Sequence, residues 1–226
     1  MGKSINDKTL GIIHAAVFTA GTLEPIAKEV MPEVSIMHAG DDTVQRDNLK
    51  APVGTIPKVN FYKFTTFARF FEDAGIDLIM LACSTFNQAV EYARPMIRVP
   101  MLQIDRPMME KAVSTGNRIG LVGTLNSTMP SSERLLRLCA EEAGKKIEVF
   151  PVLNEKAFKI LRSGDPAGHN ALVLEEIEKL NKKVDCIVLA QASMAVLEKE
   201  TANNSVPVYT SPRLAFQRAR TMLESM

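Results

Sequence analysis

The second half of this sequence repeats the first, and that duplication constrains the fold more than any other feature. Three segments have counterparts in the same order, a little over 100 residues further along: residues 10–14 (LGIIH) with 119–123 (IGLVG), residues 77–85 (DLIMLACST) with 185–193 (DCIVLAQAS), and residues 99–106 (VPMLQIDR) with 206–213 (VPVYTSPR). Matches that keep their order and spacing indicate a duplicated structural unit. We therefore expect two similar lobes, which differ where one has Cys83 and the other has Gln191.

Short apolar strands alternate with helical stretches along both halves, which is typical of a parallel α/β sheet. The apolar run at residues 78–82 suits a strand that is covered by helices on both faces. Strands are expected near residues 10–14, 34–38, 78–82, 100–104, 118–122, 147–150, 186–190 and 206–209. Helices are expected over residues 22–30, 59–74, 86–94, 107–115, 130–143, 155–162, 168–182, 193–202 and 212–224. Proline is expected at the edges of these elements, at Pro32, Pro130, Pro151 and Pro212.

The fold class expected from this pattern is α/β, with two pseudo-symmetric, doubly wound parallel-sheet lobes and a ligand site between them. The first lobe is expected over residues 1–104, completed by a C-terminal helix at 212–226, and the second over 105–211. Residues 39–57 are polar and form the longest stretch that is expected to be irregular. A loop of that length after a strand is either a lid or a plain surface excursion.

Composition and charge narrow the class of protein. The chain has 226 residues, 46% of them hydrophobic, and its 27 basic and 26 acidic side chains leave a net charge of +1. This balance argues against nucleic-acid or membrane-surface partners. The sequence has neither an apolar run of membrane-spanning length nor the apolar stretch of a signal peptide. Three widely spaced cysteines indicate a reducing compartment, so we expect a cytoplasmic protein.

Cys83 is the candidate reactive group, because it ends a predicted strand and precedes a predicted helix. Thr85 and Gln88 have the spacing of a helix capping box. A thiol at such a junction lies near backbone N–H groups and the positive end of the helix dipole, which both favour the thiolate. The alternative is that Cys83 is a packing residue, since free cysteine is among the most buried residue types.

The other cysteines and the histidines suggest no further site. Cys139 lies in an amphipathic helix and Cys186 in a strand, so both are expected to pack in the core. His14 and His38 each close a strand on the same edge as Cys83, where each either lines a cleft or is a polar loop residue. No histidine or cysteine has metal-ligand spacing, and the glycines near residue 120 do not fit a dinucleotide motif. We expect neither a metal nor a cofactor.

These residues resemble the aspartate/glutamate/hydantoin racemase superfamily over essentially the whole chain. Its members have two similar α/β lobes, a cofactor-independent site between them and typically one cysteine in each lobe. Here residues 81–85 (LACST) match the first cysteine motif, and residues 119–128 look like the loop that binds the substrate carboxylate. Residues 189–194 (LAQASM) occupy the place of the second cysteine motif.

The resemblance implies an isomerase that moves a proton at the alpha carbon of a small carboxylate or amino acid. It implies that Cys83 is the acid/base or the nucleophile. The residues that it implies for substrate binding are His14, Ser84, Thr85, Asn87, Thr124, Ser127, Thr128, Gln191, Ala192 and Ser193. Which small carboxylate is the substrate stays open.

Gln191 departs from the family pattern, because racemisation by two cysteines needs a thiol on each face of the carbon. A glutamine amide forms hydrogen bonds but does not ionise. Three alternatives therefore stand beside the racemase: a one-base lyase or decarboxylase, a cis–trans isomerase of a small dicarboxylate, and a small-ligand-binding protein without turnover.

The helix predicted near residues 59–74 carries phenylalanines at helical spacing, at Phe61, Phe64, Phe67 and Phe71. We expect this face to be core or a subunit interface rather than an aromatic ligand cage. Together with the habits of the superfamily, it indicates a homodimer.

Overall fold

A computed structural model describes residues 4–226, which divide into two compact units. The first unit runs to Ile104 and is completed by Pro212–Met226, and the second unit is Asp105–Ser211. Each unit is built on one four-stranded parallel sheet with helices around it. The predicted α/β class with two parallel sheets is therefore confirmed.

The first unit contains the first four strands of the chain. Its elements up to Ile104 are β1 (Thr9–His14), α1 (Thr19–Val30), β2 (Ser35–Gly40), α2 (Asp42–Lys50), α3 (Lys58–Asp73), β3 (Leu78–Ala82), α4 (Ala89–Ala93) and β4 (Met101–Gln103). The strands are ordered β2-β1-β3-β4, and neighbouring strands are all parallel. The order reverses between β1 and β3, so the loops that follow these two strands flank the switch point where such sheets bind ligands.

The second unit repeats this arrangement. Its elements are α5 (Arg106–Thr115), β5 (Arg118–Gly123), α6 (Met129–Glu142), β6 (Glu148–Leu153), α7 (Glu155–Arg162), α8 (Pro166–Leu180), β7 (Cys186–Leu189), a 3-10 helix (Ala192–Leu197), α9 (Glu198–Thr201) and β8 (Val208–Tyr209). The strand order β6-β5-β7-β8 is that of the first sheet, with β5 in the place of β1 and β7 in the place of β3. The chain then ends with α10 (Ser211–Glu224), whose Arg220 donates to the Val30 carbonyl of the first unit at 3.1 Å.

The central strands are buried on both faces. All five residues of β3 and all four of β7 are buried, because helices cover both sides of each sheet. On α3, Phe64 and Phe71 enter the core of the first unit, whereas Phe70 is exposed. Phe61 and Phe67 are partly buried and pack against the same core, and Phe70 lies outside the predicted face. The face predicted to be core or a subunit interface is therefore core.

Several local predictions are wrong. Residues 39–57 are not irregular throughout, because α2 occupies Asp42–Lys50 and Asp41 caps it by accepting from the Thr43 backbone N–H at 2.8 Å. The helix predicted over 193–202 is a 3-10 helix followed by the short α9. Pro151 lies inside β6 rather than at its edge, and β6 tolerates proline because it is an edge strand.

The helix after Cys83 also differs from the prediction. It begins at Ala89 rather than at residue 86, has five residues, and follows Gln88, which makes no side-chain capping bond. The Thr85–Gln88 capping box is therefore wrong. The Asn87 side chain donates to the Ser84 carbonyl at 3.1 Å, and this bond stabilises a turn where the pattern predicted the first turn of a helix.

None of the helices in residues 4–226 combines the length and the apolar character that a membrane crossing requires.

Candidate functional site

Cys83 follows directly after β3, at the carboxyl edge of the first sheet. It is partly buried and packs against the apolar cluster that contains Ile13, Leu81 and Phe86. Cys139 and Cys186 are 2% and 0% exposed, as predicted for packing residues. The Cys186 thiol contacts the Ala112 carbonyl at 3.6 Å, and burial, followed by the charge of Asp185, raises its pKa to about 12. Cys83 is thus the one thiol of the three that is not buried.

The turn that carries Cys83 is held by buried amides. Asn87 is buried, and its side chain donates to the Ser84 carbonyl. Gln103, at the end of β4 and fully buried, donates from Nε2 to the Asn87 carbonyl at 3.0 Å and to Glu91 Oε1 at 3.2 Å. Asn87 therefore supports the turn. Ser84 and Thr85 are more accessible than Asn87, since Ser84 is 9% exposed and Thr85 is half-buried.

Gln103 is a site residue that the sequence reasoning missed. It is a polar residue in the otherwise apolar strand 101–104 (MLQI), and that interruption was the available signal.

Two histidines form a second polar feature near the same edge. His14 closes β1 as predicted, but the prediction that His38 closes its strand is wrong, because β2 continues to Gly40 and His38 pairs in register with Ile12. His14, the last residue of β1, is buried and pairs in register between Gly40 of β2 and Ala82 of β3. Its Nε2 lies 2.8 Å from Nδ1 of His38, which is on β2, and its Nδ1 lies 2.7 Å from the Thr19 hydroxyl. Both ring nitrogens of His14 are therefore used inside the first unit, which makes His14 a support rather than a direct ligand of a substrate.

The environment keeps the histidine pair neutral. Burial, followed by the neighbouring His38, lowers the pKa of His14 to about 4. Burial also lowers the pKa of the more exposed His38, and the charge of Glu24 opposes that shift. His14 is thus uncharged at neutral pH, because its surroundings disfavour the imidazolium.

The loop after His14 is tied to α2. The Val17 backbone N–H donates to Asp42 Oδ1 at 2.8 Å, and the Gln45 N–H donates to the Ala15 carbonyl at 3.1 Å. Phe18, in the same loop, is 73% exposed. Residues 39–57, predicted to be a lid or a plain surface excursion, are therefore in part a structured support of the sheet edge.

In the second unit, Gln191 lies at the position that Cys83 has in the first. Gln191 Oε1 accepts from the Thr124 backbone N–H at 2.7 Å and from the Thr124 hydroxyl at 3.0 Å. A backbone nitrogen is always the donor, so the atom that faces it must be the amide oxygen. The Gln191 Nε2 group donates to none of the residues that the structure describes, so its N–H donors are available to a ligand.

The other predicted residues of the second unit differ in accessibility. Thr124 and Thr128 are each 1% exposed, and the Ser127 hydroxyl is buried without a hydrogen-bond partner in the described part of the chain. Ala192 is half-buried and Ser193 is exposed in the 3-10 helix. Of this set, Gln191 and Ser193 are the polar groups best placed to contact a ligand.

Within residues 4–226, no three histidine, cysteine or acidic side chains are clustered as a metal site would need. His169, the third histidine, is buried in α8 and contacts the neighbouring Asn170 at 2.9 Å.

Comparison with known proteins adds an independent line of observation. A family model described as Asp/Glu/Hydantoin racemase matches residues 58–219. The glutamate racemase of Aquifex aeolicus (strain VF5) is 26% identical over 201 residues, which are 86% of this chain and 74% of that protein. The aspartate racemase of Picrophilus torridus superposes with a TM-score of 0.70 at 19% identity, over 97% of this chain and 100% of that one. The allantoin racemase from Klebsiella pneumoniae superposes with a TM-score of 0.70 at 21% identity, over 97% and 87%.

Proposed function

The chain belongs to the Asp/Glu/hydantoin racemase family, and from that premise we propose that it moves a proton at the alpha carbon of a small carboxylate or amino acid through Cys83. The expectation of a racemase-type isomerase is confirmed by the family match. The role of Cys83 is supported by its position, since it is a partly buried cysteine at the carboxyl edge of β3, beside the switch point of the sheet.

In the proposed chemistry, the Cys83 thiolate removes the proton from the alpha carbon. The C–H bond breaks, an S–H bond forms, and the electron pair moves into the adjacent carboxyl or carbonyl group as an enolate. Reprotonation of the carbon completes the exchange without a metal or a cofactor. Ser84 and Thr85, next to the thiol, are proposed to hydrogen-bond the substrate.

Gln191 is proposed to stabilise the enolate oxygen. Its Oε1 is held by Thr124, so the amide is pre-oriented with Nε2 as donor. A fixed N–H donor stabilises negative charge that develops on an oxygen in the transition state. Ser193 is proposed as a further polar contact, with Ala192 beside it, whereas Thr124, Ser127 and Thr128 shape and support this part of the site.

The amide at position 191 also favours a second candidate function. Gln191 cannot take up or deliver the second proton of a two-cysteine racemase. If Cys83 is the sole acid/base, proton exchange occurs on one face of the carbon, and the enzyme is a one-base lyase or decarboxylase.

The homodimer and the cytoplasmic location stay predictions.

The test is deuterium exchange at the alpha carbon. Each enantiomer of aspartate, glutamate and allantoin is incubated in D2O, the alpha-proton signal is followed by NMR, and the enantiomer ratio by chiral chromatography. We expect exchange with at least one of these compounds and a decrease of about 10²–10⁴-fold in Cys83→Ala. The control Cys139→Ala removes a buried thiol and is expected to keep the exchange rate.

Three results would change this conclusion. Undiminished exchange in Cys83→Ala would contradict the role of Cys83. Exchange with retention, or a decarboxylated product, would favour the one-base enzyme. Thermal stabilisation by a compound that undergoes no exchange would identify a binding protein instead.

A further inference from the structure

The outward face of α3 is apolar, although α3 already buries its other face. Phe64 and Phe71 point into the core of the first unit. A surface helix with one buried face ordinarily has charged and polar residues on the opposite side. Here that side carries Val59, Tyr62 and Phe70, which are 49%, 73% and 61% exposed. Large apolar side chains grouped on a solvent face are typical of an interaction surface.

Thr66 completes this row of residues. Positions 59, 62, 66 and 70 follow one another at intervals of three or four, so they lie within an arc of about 80° around the helix. The Thr66 hydroxyl donates to the Tyr62 carbonyl at 3.0 Å, and covering Thr66 therefore leaves no donor without a partner. We call Val59, Tyr62, Thr66 and Phe70 the α3 stripe.

The two ends of the α3 stripe carry opposite charges. Lys58, the first residue of α3, is exposed and forms no ion pair with any residue that the structure describes. At the other end Arg69 pairs with Glu72 at 2.8 Å and with Asp73 at 2.9 Å, which leaves one negative charge in excess. An antiparallel second copy of α3 would set the positive end against the negative end, whereas a parallel copy would set like charges together.

The α3 stripe also matches itself in the antiparallel orientation. Tyr62 and Phe70 are each four residues from Thr66. A two-fold axis at Thr66 therefore sets Tyr62 of one copy beside Phe70 of the other, and the symmetry makes this contact twice. Lys58 comes level with the end of the second helix, where Asp73 lies. Paired aromatic side chains contribute more to an interface than their buried area alone.

The exposed area of the α3 stripe suits a weak dimer. At about 200 Å² for each aromatic side chain, the exposed fractions of Tyr62 and Phe70 leave roughly 270 Å² open to solvent on each copy. With Val59, Thr66 and the charged ends, two copies would bury about 1,000 Å², which is near the lower limit for a specific interface. We therefore expect a dissociation constant on the order of 10 μM.

We propose that the α3 stripe is the interface of a homodimer, in which the α3 helices of two copies pack antiparallel about a two-fold axis at Thr66. The interface is thus on the side of α3 opposite the phenylalanines of the core. The proposal concerns assembly alone and does not depend on the chemistry of Cys83.

Sedimentation equilibrium tests the dimer, at protein concentrations on both sides of the expected dissociation constant. Tyr62→Lys and Phe70→Lys are each expected to raise the dissociation constant by at least about 100-fold, because each change affects two symmetric contacts. The matched control is Phe18→Lys, which alters a 73% exposed side chain in the loop after β1 and should dimerise like the wild type. Circular dichroism should show the same helix content in all three variants.

Charge reversal tests the antiparallel orientation. Lys58→Glu and Asp73→Lys are each expected to raise the dissociation constant by about 3–10-fold, because each brings like charges together at both ends of the interface. The double variant restores opposite charges and should return the dissociation constant to within about 3-fold of the wild type.

A cysteine at the two-fold axis tests the position of the interface. Facing Cα atoms of two packed helices lie about 3.5–5.5 Å apart, which overlaps the range of about 4.4–6.8 Å that a disulfide needs. In a Cys83→Ala background, Thr66→Cys should form a disulfide-linked dimer at least about 10-fold faster than Thr221→Cys under mild oxidation. Thr221 is the matched control, because it is an exposed threonine of α10 whose hydroxyl also donates to the carbonyl four residues earlier, at 3.1 Å.

Three results would each overturn this proposal. They are a wild-type monomer at tenfold the expected dissociation constant, a dimer that Tyr62→Lys and Phe70→Lys leave intact, and cross-linking of Thr66→Cys no faster than that of Thr221→Cys. Absence of deuterium exchange at the alpha carbon would overturn the proposed function and leave this interface standing.

Discussion

Gln191 Oε1 lies 2.7 Å from the backbone nitrogen of Thr124, and this bond orients the amide at the position where the family typically has its second cysteine. Gln191→Leu would remove the acceptor and leave a buried N–H without a partner. We expect it to lower the free energy of unfolding by about 1–3 kcal/mol, measured by urea denaturation. Gln191→Glu keeps the acceptor and should cost less. Equal stability of Gln191→Leu and the wild type would contradict the assigned amide orientation.

Cys83 should be the first thiol to react. Cys139 and Cys186 are buried in the core, and the raised pKa of Cys186 keeps its thiol protonated at neutral pH. With limiting iodoacetamide at pH 7.5, we expect at least about 10-fold faster labelling of Cys83, measured by peptide mass spectrometry. Labelling of the three cysteines at similar rates would show that the site of Cys83 gives it no advantage in access or reactivity.

Gln103 should matter for stability because it supports the Cys83 turn from within the core. Gln103→Met keeps the size of the side chain but removes the bonds to the Asn87 carbonyl and Glu91. We expect a loss of about 1–3 kcal/mol in the free energy of unfolding. Gln88→Met is the matched control, since Gln88 lies in the same turn without a side-chain capping bond, and it should change stability by less than about 0.5 kcal/mol.

His14 should make stability depend on pH. Its pKa is about 4 in the folded protein and 6.5 when unperturbed, so between these values the unfolded chain binds the extra proton. The stabilisation is complete above pH 6.5 and is lost as the pH falls towards 4, by roughly 3 kcal/mol for this group. Denaturation midpoints from pH 4 to 7 should fall more steeply for the wild type than for His14→Gln. Parallel curves would contradict the buried, neutral His14.

Two glycine substitutions should change the stability of the protein in opposite directions. A Cβ at Gly11 of β1 would lie 2.5 Å from Cδ2 of the buried Phe71 ring, so Gly11→Ala should destabilise by about 1–3 kcal/mol. A Cβ at Gly21 of α1 meets no atom within 4 Å, and Gly21→Ala should stabilise by about 0.5–1 kcal/mol because it favours the helix. Thermal unfolding of the two variants compares the signs directly.

The strands were predictable from the sequence because each is a short apolar run between turn signals, and β3 was predicted over the residues it occupies. α2 was missed because it buries only Val44 and Asn48, and such a polar helix shows little hydrophobic period. The capping box at Thr85 failed because the Asn87 side chain bonds the Ser84 carbonyl, and this local bond competes with the first turn of a helix.

The sequence by itself determined that the chain is a duplicated α/β protein of the racemase family, and that Cys83 and Gln191 occupy equivalent places. Repeats, periodicity and motifs are properties of neighbouring residues, so they can be read without a structure. Only the tertiary structure decided that His38 bonds His14, that Thr124 orients Gln191 and that Gln103 supports the Cys83 turn. These partners lie 24, 67 and 16 residues apart, and only the order and register of the strands bring them together.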